Sequence, residues 1–339
     1  MEQLEREAQV DTSSLSAEQV LEPLCLFSLK AGRVLEQLSG FVLGKKGVYA
    51  EIGRAYCYNV EALFTVVSMP FAIARQSVAM QEYQRLSMAN ELQLVLDSDI
   101  VMPQEEVRTR AAENSMQEMK ARYASSDGKQ KLLAQSKNFL HGVLNEELRA
   151  AAQNLLRQGL VLAWSAFEVA ARDTFIAYLN EHPAACQRLL RDPTARRRLD
   201  ISKVPLETLL AHGFDLSHKM GTLLSSYQDL SDLISIKTVL SALFGSAALS
   251  QGFAAESLWI LSQERHLIVH RCGVVDQEFR TNSNSQQKVG ERLRVTPADL
   301  LKRIAAATEA CLAMLEAASR TGDGSDDGLG EGGRIDQQS

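Results

Sequence analysis

Cysteine is scarce and carries no pattern. The five present (Cys25, Cys57, Cys186, Cys272 and Cys311) are odd in number, lie far apart in 339 residues and show no Cys-x-x-Cys spacing. That excludes a disulfide framework and a zinc knuckle and points to reduced thiols in a cytoplasmic protein. Long apolar runs are missing as well. The best candidate, Val60 to Ala74, is too short and contains Glu61 and Pro70, so neither a membrane span nor a membrane partner is expected. The opening MEQLEREAQ is acidic and polar, which argues against a signal peptide. There is no excess of positive charge: the formal net charge is −6, so any contact with nucleic acid has to come from a local patch.

What the chain has is helix signal and, at 45% hydrophobic content, enough apolar residue for a sizeable core. Ser16 and Gln19 form a capping-box pattern that opens a periodic stretch through Leu38, interrupted by Gly40, Gly44 and Gly47. A longer helical pattern runs from about Val48 to Leu96, with Pro70 marking a kink or break. Asp97 to Pro103 reads as a connection and Glu105 to Arg122 as a polar helix. The methionines of this region (Met69, Met80, Met88, Met102, Met116 and Met119) are expected mainly in the core, the alternative being an adaptable partner surface. Ala124 to Gly128 is the clearest internal break. Beyond it, Lys131 to Leu179 is helical with an interruption at Gly142 and an apolar face of Leu160, Trp164, Phe167, Ala171, Phe175 and Tyr178. Pro183 to Ser250 reads as two or three shorter helices with loops at His212-Gly213 and Gly245. Val274-Val275 and Arg292 to Val295 read as a short extended pair around a polar loop. Thr296, Pro297 and Asp299 then open a helix to about Arg320 that buries Leu300, Ile304, Ala307, Cys311, Met314 and Leu315. The fold class is therefore all-α, an up-and-down helical bundle. Residues 1–125 form an N-terminal helical region, 126–320 a second helical domain, and 321–339 a disordered tail.

The segment Arg265 to Phe279, RHLIVHRCGVVDQEF, concentrates the chemistry. Stepping about 100° per residue from Leu258, the residues Leu258, Leu261, Ile268 and Val269 form one stripe, and Arg265 falls inside it. Trp259, His266 and His270 form a second stripe beside it. An arginine facing a core cannot escape by deprotonating, so it needs an acceptor, a second subunit or a ligand anion. Glu168 lies on the Trp164 face. Two readings of it stand: a carboxylate opposite the late helix, partnered by Arg265 or a protonated histidine, or an i,i+4 surface pair with Arg172. The run Arg188, Arg191, Arg196, Arg197 and Arg198 is the strongest basic cluster; it suits phosphate contacts, or a solvated helix end. His141, His182, His212 and His218 are scattered. His266 and His270 are four apart with no glutamate between them and no third ligand, so no metal site is expected.

Arg265, the polar His266 and His270 after four intervening residues resemble the RNase motif of the HEPN superfamily, as in its RiboL-PSP and MAE-type nucleases. Gly273, Asp276 and Phe279 resemble the usual continuation, and Trp164 with Glu168 resembles the aromatic and acidic pair of the early helix. The resemblance covers about residues 131 to 320. It implies a HEPN-type bundle and a metal-independent endoribonuclease needing no cofactor, often a toxin or antiviral defence effector held silent until activated. RNA would be its substrate, a second copy of the chain its partner, and residues 1–125 a place for a regulatory or sensor partner. The implied catalytic set is Arg265 and His270 with His266, and Glu168 is implied in support. Histidine, with an ordinary pKa of about 6.5, can move the protons, and arginine can bind the non-bridging oxygens. Two other readings stay open: a non-catalytic HEPN module that binds nucleotides or dimerises, and a helical adaptor or sensor.

Overall fold

The computed structural model describes residues 33–97, 102–143, 145–199, 206–211, 213–226 and 230–323. Among them every regular element is a helix, and the one β feature is an isolated antiparallel bridge between Val274 and Arg292. The all-α expectation holds. The cap predicted at Ser16 lies outside the described residues, as do most of the Asp97 to Pro103 connection, His212 and residues 324–339 of the expected tail. No single helix among the described residues is long and apolar enough to cross a membrane.

The chain opens with α1 (Glu36–Val42), α2 (Val48–Val67) and α3 (Met69–Asp97). Pro70 sits in the first turn of α3, where its missing N–H costs nothing, and the kink or break expected there is a bend of 56° at Ser68. Next come α4 (Gln104–Ala124), α5 (Ser126–Val143) and the 36-residue α6 (Glu146–Glu181), with breaks where Ser125 and the Gly142 region were expected to end helices. Shorter elements follow: α7 (Cys186–Arg191), α8 (Pro193–Leu199), α9 (Leu206–Ala211), α10 (Met220–Ser225), α11 (Leu233–Phe244) and α12 (Ser246–Phe253). The chain ends with α13 (Glu256–Arg271), α14 (Gln277–Ser283) and α15 (Pro297–Asp323). The extended pair predicted around residues 274 and 292 is the single bridge, and α14 occupies part of the loop it was expected to flank.

These helices divide between two compact units. Among the described residues one draws on Leu63–Gly159 and Arg294–Asp299, the other on 33–62, 160–293 and 300–323. In the first, α3 and α4 run antiparallel, as their register shows: Asn90 donates to Ser115 Oγ at 2.9 Å, and Arg122 and Tyr123 both bond Glu82. Packing groups α5 with these two helices. The methionine expectation fails here: Met69, Met80, Met88 and Met116 are all exposed, because the buried stripes are supplied by Phe71, Ala74, Val78, Leu86, Val107 and Ala111.

The second unit centres on the α6 face read from the sequence, in which Leu160, Trp164, Phe167, Ala171, Phe175 and Tyr178 are all buried. The α15 stripe from Leu300 to Leu315 is buried as expected. A reciprocal cap starts that helix: Thr296 donates through N and Oγ to Asp299, whose own N–H returns to Thr296 Oγ at 3.1 Å. Against α15 lies the N-terminal half of α2, with the Tyr56 hydroxyl 3.1 Å from Thr308 Oγ and Gly53 pressed against Val42 and Leu315. Burial pushes the Cys57, Cys186 and Cys311 thiols up from their ordinary value. Thiolate being the reactive form, these three are unreactive core residues.

Candidate functional site

Helix α13 carries the Arg265 segment. Its last carbonyls are closed by a left-handed turn: Cys272 has φ 53°, Gly273 has φ 72°, and the Gly273 N–H donates to Leu267 O at 3.1 Å. The buried side of the helix consists of Ser257, Leu258, Leu261, Glu264 and Leu267. This corrects the predicted phase. The ionisable residue in the core stripe is Glu264, one position before Arg265, and it meets Arg303 of α15 in a two-pronged pair, Nε to Oε2 at 3.0 Å and Nη2 to Oε1 at 3.4 Å. Both side chains are under 10% exposed. The rotation this fixes leaves Arg265 half-buried, His266 and His270 exposed, and Val269 48% exposed instead of in the core.

Arg265 forms no hydrogen bond or ion pair among the described residues. The His266 and His270 rings lie with centroids 4.6 Å apart, tilted by 44° to each other. One turn on, Arg271 lies 3.7 Å from Asp276, which caps α14 by accepting from Phe279 N at 2.7 Å. One uncommitted, half-buried guanidinium and two exposed imidazoles therefore share the last turns of one helix. Those groups can bind an anion and exchange protons with it. No group of three or more His, Cys, Asp or Glu side chains among the described residues is arranged to hold a metal ion.

Glu168 does not reach Arg265. It accepts from Trp164 Nε1 at 3.0 Å and from Arg172 Nη2 at 2.9 Å, both within α6. The i,i+4 reading is the correct one, yet the pair is no ordinary surface pair, since the carboxylate is 15% exposed and satisfies the N–H of a fully buried indole. Glu168→Ala is therefore expected to cost about 1–2 kcal/mol, from a stranded buried donor. Glu168→Gln, which keeps an acceptor for the indole, should cost less. Thermal denaturation of the two variants checks the order.

The arginine cluster separates into two groups. Arg188 donates to Leu243 O at 2.8 Å and to the Tyr178 hydroxyl at 3.3 Å, and Arg198 donates to Ser235 Oγ at 2.8 Å, so these two tie α7 and α8 to α11. Arg191, Arg196 and Arg197 are exposed and have no partner among the described residues.

Sequence reasoning missed three features. Glu264 and Arg303 each sit in the apolar stripe of its own helix, and the coincidence of opposite charges at two core positions was the available signal. Asn180 caps α10 by accepting from Gly221 N at 2.8 Å and Thr222 N at 3.2 Å, a contact across 41 residues that leaves no local trace. A cleft between α11 and α13, lined by Trp259, also had no signature in the chain. No family model, curated protein or solved structure matches this chain.

Proposed function

We propose that this protein is a metal-independent endoribonuclease of HEPN type, with Arg265, His266 and His270 as its catalytic groups. The observation that carries the reading is the conjunction in the last turns of one helix of a half-buried arginine without an internal partner and two exposed histidines whose rings lie 4.6 Å apart. The substrate's own 2′-hydroxyl attacks the adjacent phosphorus as its proton passes to a base. The bond to the 5′-oxygen breaks and that oxygen takes up a proton from an acid, leaving a 2′,3′-cyclic phosphate and a 5′-hydroxyl end. His270 transfers a proton, His266 is the second donor or orienting group, and Arg265 binds the non-bridging oxygens as charge builds on them.

One chain supplies one such set, and in-line cleavage uses an acid and a base around the same phosphate. A twofold pairing of two chains through the exposed side of α13 would supply both sets and gather the cations of an otherwise acidic protein. The test incubates the full chain with RNA in EDTA. Cleavage should persist, stop on substrates with 2′-deoxy or 2′-O-methyl at the scissile nucleotide, and fall by about 10²- to 10⁴-fold in His270→Ala with the fold retained. Equal cleavage of DNA, or strict dependence on a divalent ion, overturns it. Light scattering should give twice the chain mass at micromolar concentration, and a fully active monomer would remove the shared site.

The adaptor reading has an observation of its own in the exposed Met88, Leu92, Val95 and Leu96 along one end of α3. It gains if the chain binds no RNA.

A further inference from the structure

Beside the site helix lies a cleft of 480 Å³, between the first turns of α11 and the start of α13. Leu233 and Phe253, both buried, provide apolar wall; Trp259, Lys237, Thr238 and Glu256 provide an aromatic ring, a cation, a hydroxyl and a carboxylate. The ring is held in place, its indole N–H donating to Asn282 O at 2.9 Å. With its N–H taken, Trp259 has no hydrogen-bonding group left to offer the cleft, only its aromatic ring. Lys237 and Glu256 are exposed and form no ion pair among the described residues. A cleft lined by one aromatic ring and two uncommitted opposite charges suits a flat ligand with hydrogen-bond donors at one edge and an anion attached.

Its position along the helix narrows the choice. Trp259, His266 and His270 share one stripe of α13, and seven residues at 1.5 Å rise put Trp259 about 10 Å before His266, a distance that single-stranded RNA covers in a nucleotide or two. On the far side, α11 packs against α8, which carries the exposed Arg196 and Arg197. The cleft is therefore bounded by the helix that carries the histidines and by one that packs against the helix of the exposed arginines.

We propose that this cleft is a guanine subsite of the RNA-cleaving site, an assignment that rests on the nuclease reading above. The base stacks on Trp259, as bases do on aromatic platforms in single-strand binders. Glu256 accepts from guanine N1–H and the 2-amino group together. Guanine is the one RNA base with two adjacent donors on a single edge, so a carboxylate selects it by a paired, charge-assisted contact. Lys237 meets a phosphate oxygen of the same nucleotide as a point charge.

Equilibrium dialysis of the full chain against GMP, AMP, CMP, UMP and inorganic phosphate tests this directly. GMP should bind at least about tenfold more tightly than the other three, and phosphate should compete poorly. Trp259→Ala should weaken GMP binding between about fivefold and a hundredfold. Glu256→Gln, at an exposed position where the fold does not depend on the charge, should erase the preference for GMP over AMP. Equal affinity for the four nucleotides, or phosphate competing as well as GMP, overturns the subsite. In RNA digests, cut positions should keep a fixed register to a guanosine, blurred in Trp259→Ala. The two readings fail separately: GMP binding without cleavage keeps the subsite and removes the nuclease, and cleavage without GMP preference removes the subsite alone.

Discussion

Glu264→Ala is expected to destabilise the second unit by about 3–5 kcal/mol, because it leaves the Arg303 guanidinium buried without its carboxylate. For a unit of this size that is a fall in melting temperature on the order of 10 °C. The cost of the lone mutation is not the worth of the pair. Two charges brought out of water lose much of what their attraction returns, so the double replacement Glu264→Leu with Arg303→Met should recover most of the loss. Calorimetry on the two variants separates the cases. A single mutant within about 1 kcal/mol of the parent would mean that water reaches the pair and the core position is not closed. The double variant carries a second readout. If the pair sets the rotation of α13, RNA cleavage should fall in the double variant even where stability is restored, since Arg265 and His270 are aimed by that rotation.

The second large effect concerns cutting the chain. A fragment of residues 126–320, the segment that composition and the HEPN resemblance set apart, should fail to fold cooperatively. Its α15 would lack the cover of α1 and α2, where Leu38 of α1 and Tyr56 of α2 are both under 2% exposed and Gly53 and Cys57 complete the contact. Removing one buried aromatic side chain costs about 3–5 kcal/mol, and a whole domain holds only about 5–15. Loss of a helix and a half of such cover exceeds the margin. Expected signs are dye binding to exposed apolar surface, a broad thermal transition and low solubility. A fragment from 33 to 323 should melt sharply. A cooperative melt of 126–320 alone would show that α1 and α2 are accessory.

Local signals carried the helices. The break beside Pro70, the turn at Ser125, the helix start at Thr296 to Asp299 and the apolar face of α6 all depend on residues within a few positions of one another, and each is where the pattern placed it. The site segment was legible as residues and misread as a surface. Arg265 fits the apolar stripe of an isolated helix as well as Glu264 does, and which of the two turns inward is decided by Arg303, 39 residues away. The same dependence on distance hid the cleft, which needs α11, α13 and the end of α14 together before Trp259 has a floor or a fixed edge. Glu168 fell between two alternatives because a charge four residues from Arg172 and four from Trp164 satisfies a helix pair and a core donor at once.

The hydrogen bond between Tyr56 and Thr308 spans 252 residues of sequence. During synthesis at about 5–20 residues per second, α2 leaves the ribosome tens of seconds before α15 exists to cover it. For that interval the apolar stripe of Leu63, Phe64 and Val67 continues one that begins at Val60 and Tyr56, with no finished partner for its first half. A nascent chain of this design leaves that surface uncovered until its last helix emerges. Slowed translation ahead of residue 300 should then deplete soluble protein more than the same delay placed after residue 320.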